Sequence, residues 1–167
     1  MNQLNQLNDQ KMLSGKVALI TGSGGGLGKA IGLSLLEAGA SVVLTDLLLQ
    51  EEDASKDKVP RNRHPLVFKM DVTRPEQISK VVDEVTERLG VVDILVNNAV
   101  MPGFIETEIV KSHRPEILER VKNVTAMKRL GRPEEVTALV VFLASEFSSY
   151  MTGTAIPVTG GADLFVF

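Results

Sequence analysis

Short apolar runs and stretches of helical periodicity alternate along this chain. Lys16-Val-Ala-Leu-Ile-Thr21 is an unbroken apolar run ahead of a glycine cluster, the pattern of a strand buried on both faces. From Leu27 the spacing becomes helical: Ile31, Leu35 and Ala38 share one face, and Gly39 is a fitting stop. Ser41–Thr45 predicts a second strand and Leu66–Met70 a third. Between them, residues 47–64 mix Glu51, Glu52 and Asp53 with Lys56, Lys58, Arg61 and Arg63, and predict a solvated loop. Thr73, Pro75 and Glu76 then predict a capping-box helix start, with Ile78, Val81, Val82, Val85 and Leu89 on its buried face. Val91–Val96 predicts a fourth strand, and Pro102-Gly103 a loop. A charged helix is expected over Pro115–Lys122. A more apolar one opens at Pro133, with Val136, Leu139, Val140, Leu143 and Ala144 at helical spacing. Thr154–Val158 predicts a last short strand, ending at Gly160-Gly161.

Strands alternating with helices imply βαβ units, a mostly parallel sheet and helices on both faces, because parallel crossovers are right-handed. The fold class is therefore α/β with a doubly wound parallel sheet. Residues 16–167 are expected to form one domain after a flexible extension over residues 1–15. Composition narrows the function. The charge is −3, with 18 Lys+Arg against 21 Asp+Glu, so a nucleic-acid backbone is an unfavourable partner. No apolar run reaches the roughly 20 residues of a bilayer span, and the polar start lacks a secretory apolar core. The expectation is a cytoplasmic or mitochondrial-matrix protein. With no cysteine there is neither a thiolate nucleophile nor a thiolate metal site. The two histidines, His64 and His113, lie in charged stretches and are expected at the surface, so no metal is expected.

Thr21-Gly22-Ser23-Gly24-Gly25-Gly26-Leu27-Gly28 joins the first strand to the first helix. Glycines there allow a tight turn and a close backbone approach to a pyrophosphate, while the helix start supplies N–H groups and a positive dipole end. A glycine cluster alone is a weak signal; its place between strand and helix makes it a dinucleotide-binding candidate. Asp46 follows at the end of the second strand, 18 residues beyond Gly28. A carboxylate there accepts hydrogen bonds from an adenosine ribose and repels a 2′-phosphate, and Leu47 beside it offers no compensating cation. NAD is expected over NADP.

These residues resemble the short-chain dehydrogenase/reductase family. Thr21 to Gly28 matches its Thr-Gly-x-x-x-Gly-x-Gly cofactor signature, so Gly22, Ser23, Gly26, Leu27 and Gly28 are implied at the dinucleotide. Lys69-Met70-Asp71-Val72 resembles the family's third-strand end, which implies Asp71 and Val72 at the adenine. Asn97-Asn98-Ala99 resembles Asn-Asn-Ala-Gly, implying that Asn98 and Ala99 line the ribose. Pro102-Gly103-Phe-Ile105-Glu-Thr107 resembles the Pro-Gly loop that holds the nicotinamide carboxamide and phosphates, implying Pro102, Gly103, Ile105 and Thr107. The stretch from Arg129 to Gly161 is similar to the family's C-terminal section. The resemblance spans nearly every residue from Lys16 onward. It is nearest to the 3-oxoacyl-[acyl-carrier-protein] reductases and the 17-beta-hydroxysteroid dehydrogenase type 8 branch. It implies oxidoreduction of a 3-oxoacyl thioester or a steroid-like ketone.

The family's chemistry needs a Tyr general acid/base, a Lys four residues on, and a Ser on the preceding strand. Here the one tyrosine, Tyr150, is followed at position 154 by Thr, and it fits the family's structural Tyr-x-Thr-Gly segment. Ala99 runs directly into Val100-Met101-Pro102-Gly103, as if the fourth-strand end were joined to the sixth-strand end. No catalytic residue is therefore assigned. The resemblance then implies a shortened Rossmann-like sheet of about five strands, in the order 3-2-1-4-last. Such a chain is expected to bind NAD with almost no turnover alone. The alternatives are a non-catalytic subunit of an intact homologous reductase, a truncated isoform of one, or a product without function.

Overall fold

The computed structural model describes residues 12–49, 64–98, 104–153 and 155–162. By packing, the chain divides into two compact units, residues 1–99 and 100–167.

In the first unit, β1 (Val17–Thr21) leads into α1 (Gly26–Glu37), followed by β2 (Ser41–Asp46) and β3 (Leu66–Lys69). Then come α2 (Pro75–Leu89) and β4 (Ile94–Asn97). The four strands form one parallel sheet in the order β3-β2-β1-β4. Strand alternation divides the apolar residues between the two faces. Val17, Leu19, Val43 and Phe68 pack with Val81 and Val85 of α2. On the other face, α1 buries Ile31 and Leu35. A Cβ on Gly32 would come within 2.5 Å of the Leu44 side chain, so this helix lies close on β2. The expected α/β Rossmann-like sheet, with helices on both faces, is the fold observed.

Three local expectations are corrected. No capping box forms at Thr73: the helix N-cap is Arg74, and the Thr73 hydroxyl donates instead to Asp71 Oδ1 at 2.7 Å. The hydroxyl makes a short, charge-assisted bond to the carboxylate two residues back instead of accepting from a helix N–H. Val82 is exposed, because the buried stripe of α2 is narrower than its apolar positions. Leu13, within the expected flexible extension, is buried and its N–H donates to Ala38 O, so packing includes residues before Lys16.

The second unit contains α3 (Glu108–Lys111), α4 (Pro115–Val124), α5 (Pro133–Ala144) and a 3₁₀ turn over Glu146–Ser148. The expected fifth strand is not there: among the described residues the sheet has four strands, and Ala155–Val158 are irregular. Pro157 has no N–H to give to a ladder, and Gly153 and Gly160 turn the chain at positive φ on either side. Thr154 lies outside the described residues.

The Arg129–Glu135 loop of this unit is held by charge. Arg129 donates two bonds to Glu135, at 2.7 and 2.8 Å, and the Arg132 N–H donates a third at 2.8 Å. The Arg129 bonds, then the Arg132 amide, hold the Glu135 carboxyl down at about 2 from an ordinary 4.5. A carboxylate depressed on folding adds stability above its unfolded pKa and loses it as pH falls through the folded one. This unit is therefore expected to weaken between about pH 4.5 and pH 2. Glu135→Gln should flatten that dependence, read as amide exchange in residues 129–145 at both ends of the window. Equal acid sensitivity in the two proteins would refute this.

Candidate functional site

The parallel register brings the carboxyl ends of all four strands to one edge of the sheet. Thr21 is level with Thr45 and Asn97, and Asp46 with Lys69. From β1 the chain moves outward to β2 and β3, then returns to place β4 on the other side of β1. Ligands of open α/β sheets bind at such a reversal, outside the carboxyl ends of the strands.

The glycine loop fills this place. Gly22 takes φ +62, which a side chain would strain, and its carbonyl accepts from Asn98 Nδ2 at 2.9 Å. Gly28, in the first turn of α1, is buried against the same groups. A Cβ there would stand 2.6 Å from Asn98 Nδ2 and closer still to Gly22 O. Gly28 thus lets the helix start press onto the loop. Ser23 is buried, and its hydroxyl donates to backbone carbonyls of Ile20 and Thr45 at 3.3 and 3.2 Å. It therefore fixes the loop to β1 and β2, and its hydroxyl does not point outward to a ligand. No side chain caps α1, whose N-cap is Gly25, so first-turn amides are left for an anion. A Cβ built on Gly25 meets nothing within 4 Å, so the space in front of the helix is open.

Asp46 closes the other side. Its carboxylate accepts from Gly24 N and from Leu48 N, each at 3.1 Å. These bonds hold it beside the loop, where a Cβ on Gly24 would lie 2.9 Å from its Cγ. Asp71, just past β3, puts Oδ1 to work on the Thr73 amide and hydroxyl, at 2.9 and 2.7 Å. The hydroxyl bond, then the amide, draw its carboxyl below the ordinary range. Val72 beside it is exposed.

The structure thus brings Gly22, Ser23, Gly28, Asp46 and Asn98 into one cluster, with Gly26 and Leu27 in the first turn of α1. Asp71 and Val72 sit on the same sheet edge. Ala99, Pro102 and Gly103 lie outside the described residues. Ile105 and Thr107 belong to the second unit. There Ile105 is buried and bridges to Gly131, and Thr107 is the N-cap residue of α3. His64 and His113 are exposed, and among the described residues no acidic or histidine cluster could hold a metal. Tyr150 is fully exposed.

Two roles were not legible beforehand. The Asn98 side chain carries the loop carbonyl, and the Asp93 carboxylate accepts from Val17 N at 2.8 Å, fixing the start of β1. Asp93 stands one residue before the observed β4; only the pairing of β1 with β4 reveals what it holds.

Two family matches cover this chain. The short chain dehydrogenase family matches residues 16–127, and a family described as Enoyl-(Acyl carrier protein) reductase matches residues 97–163. The chain is 25% identical to the 3-oxoacyl-[acyl-carrier-protein] reductase FabG of Thermotoga maritima over 243 residues, covering 89% of this chain and 98% of that protein. It is 23% identical to the 7alpha-hydroxysteroid dehydrogenase of Escherichia coli over 246 residues, covering 92% and 96%. A short chain dehydrogenase/reductase of Gibberella zeae, dpfgG, is 36% identical over 123 residues, 72% of this chain and 44% of that one. An alignment of 243 residues against a chain of 167 leaves at least 76 positions of the FabG comparison with no counterpart here. The crystal structure of gox2181 superimposes with a TM-score of 0.80 at 22% identity, covering 95% of this chain and all of that one. Among the described residues no helix is long and apolar enough to cross a membrane.

Proposed function

Because this chain belongs to the short-chain dehydrogenase family, we propose that it binds a nicotinamide dinucleotide at the Gly22–Gly28 loop, NAD in preference to NADP. The observation that carries the reading is the Asp46 carboxylate, held 3.1 Å from the Gly24 amide at the lip of the loop. The residues fit the group: the loop is free of side chains in front of α1, the helix start is uncapped, and the carboxylate stands ready for a ribose diol. When bound, the nicotinamide would donate or accept a hydride. The protein residues of the first unit would do the holding. Amides of the first turn of α1 would take the pyrophosphate, Asp46 the ribose hydroxyls, and Asp71 and Val72 the adenine side.

The chain lacks a Tyr-x-x-x-Lys pair, so no side chain is in hand to pass a proton to a carbonyl substrate. We therefore propose binding without turnover by this chain alone. The expected result is calorimetric binding of NADH, with no loss of NADH absorbance when a 3-oxoacyl thioester or a hydroxysteroid ketone is added. Steady oxidation of NADH under those conditions would overturn the second half, and absence of NADH binding the first.

A second reading is favoured by the same contrast between an intact glycine loop and the missing pair. As a dinucleotide-binding subunit, the chain would modulate a full-length homologous reductase. It would then co-purify with such an enzyme and change its rate; failure of both would remove this reading.

A further inference from the structure

We propose that two copies of this chain pair edge to edge through β4, antiparallel and centred on Leu95, so that their sheets continue as one. Among the described residues, β4 is the last strand of the sheet and is paired only with β1. Parallel sheets are normally covered on both faces, and their strands read as buried apolar runs. β4 has the apolar sequence without the burial. Leu95 is 60% exposed, although Leu19, its partner in the β1 register, is 3% exposed. Val91, just before the strand, is 76% exposed.

Residues 94–98, Ile-Leu-Val-Asn-Asn, contain no charge and no proline, the usual means by which a free strand is kept from pairing. The opposite edge strand, β3, ends in the exposed Lys69. The second family match begins at residue 97, the last of β4, and the FabG alignment holds at least 76 positions with no counterpart here.

A second copy fits the edge by its own pattern. A two-fold axis through Leu95, perpendicular to the sheet, sets Leu95 opposite Leu95 and Ile94 opposite Val96. Directly opposed residues of an antiparallel pair share a face, so apolar side chains meet apolar ones on both faces and no like charges oppose. An acidic or basic peptide would find no counter-charge on residues 94–98. Four residues per strand make a contact at the small end of specific interfaces, so the dimer should dissociate in the micromolar range.

Sedimentation velocity from about 1 to about 200 μM, which brackets that range, is the test. The expected result is a shift from monomer to dimer that Leu95→Lys abolishes while circular dichroism and melting stay unchanged. Because the chain has no cysteine, Leu95→Cys gives a second, independent readout. On mild oxidation it should form a covalent dimer, whereas Lys80→Cys, on the exposed surface of α2, should not. Monomer at every concentration would overturn the proposal. So would a dimer indifferent to Leu95→Lys, equal crosslinking at positions 80 and 95, or open-ended aggregation without a discrete dimer. A chain that stays monomeric alone, yet binds an added full-length short-chain reductase through Leu95, would assign the edge to that partner instead and equally refute the homodimer.

Discussion

Gly28→Ala is expected to abolish dinucleotide binding and to destabilise the first unit by about 1–3 kcal/mol, the usual cost of overpacking a close contact. The added methyl would overlap Gly22 O and Asn98 Nδ2. Neither is the far end of a flexible chain: one is backbone, and the other is held by its bond to that backbone at 2.9 Å. The loop would have to shift or the helix start to lift, and either would spoil the arrangement of amides. Gly25→Ala separates folding from binding. Its Cβ would enter open space, and its φ of −177° is extended backbone that alanine adopts freely. Losing glycine as N-cap costs about 1 kcal/mol or less. Yet the new methyl would stand where the reading puts a pyrophosphate, so binding should fall by at least about tenfold, or about 1.4 kcal/mol. Calorimetric titration with NADH and thermal melts of both variants check this. If Gly25→Ala bound NADH as tightly as the parent chain, the loop would not be the phosphate site.

The unchanged chain should prefer NADH to NADPH by about 10–100-fold, and Asp46→Asn should bring that ratio close to one. The 2′-phosphate of NADPH would lie beside a carboxylate that Gly24 N and Leu48 N hold at the lip of the loop. Two like charges at about 4 Å repel strongly at the protein surface, and salt screens only part of that. Asparagine removes the charge and keeps one oxygen, enough for the Gly24 or the Leu48 amide but not both, so the NADH-to-NADPH ratio, and not the affinity for either alone, reports the charge. Equal affinity for the two dinucleotides in the parent chain would remove Asp46 as the determinant. Loss of NADH binding in Asp46→Asn, with no gain for NADPH, would assign it to ribose hydrogen bonding only.

The glycine loop was readable before any coordinates because both its cues are local: an apolar run that must be buried, then residues without side chains at a helix start. The same holds for Asp46, fixed by the length of one βα unit. Asn98 is a different case. The residue was recognisable by resemblance, but its work on Gly22 O depends on β4 lying next to β1, 76 positions apart in the chain. Ser23 stood among the expected cofactor contacts, whereas its hydroxyl is turned inward to two strand carbonyls, one of them on β2 and so dependent on the pairing of β1 with β2. The strand expected at Thr154–Val158 misled because apolar residues at short spacing say nothing of a partner, and Pro157 removes a donor that pairing would need.

By itself, the order of residues determined the elements whose signals lie within about a dozen positions: four strands, the helices that alternate with them, and the loop that can receive a phosphate. Burial of apolar runs and the freedom of glycine act at that range. The register that levels Asp46 and Asn98 with the loop, the absence of a fifth strand among the described residues and the exposure of Leu95 on β4 were decided only by the tertiary structure. Pairing between distant strands is chosen by the whole core, where packing of α1 and α2 on opposite faces selects one arrangement among those that local preferences allow.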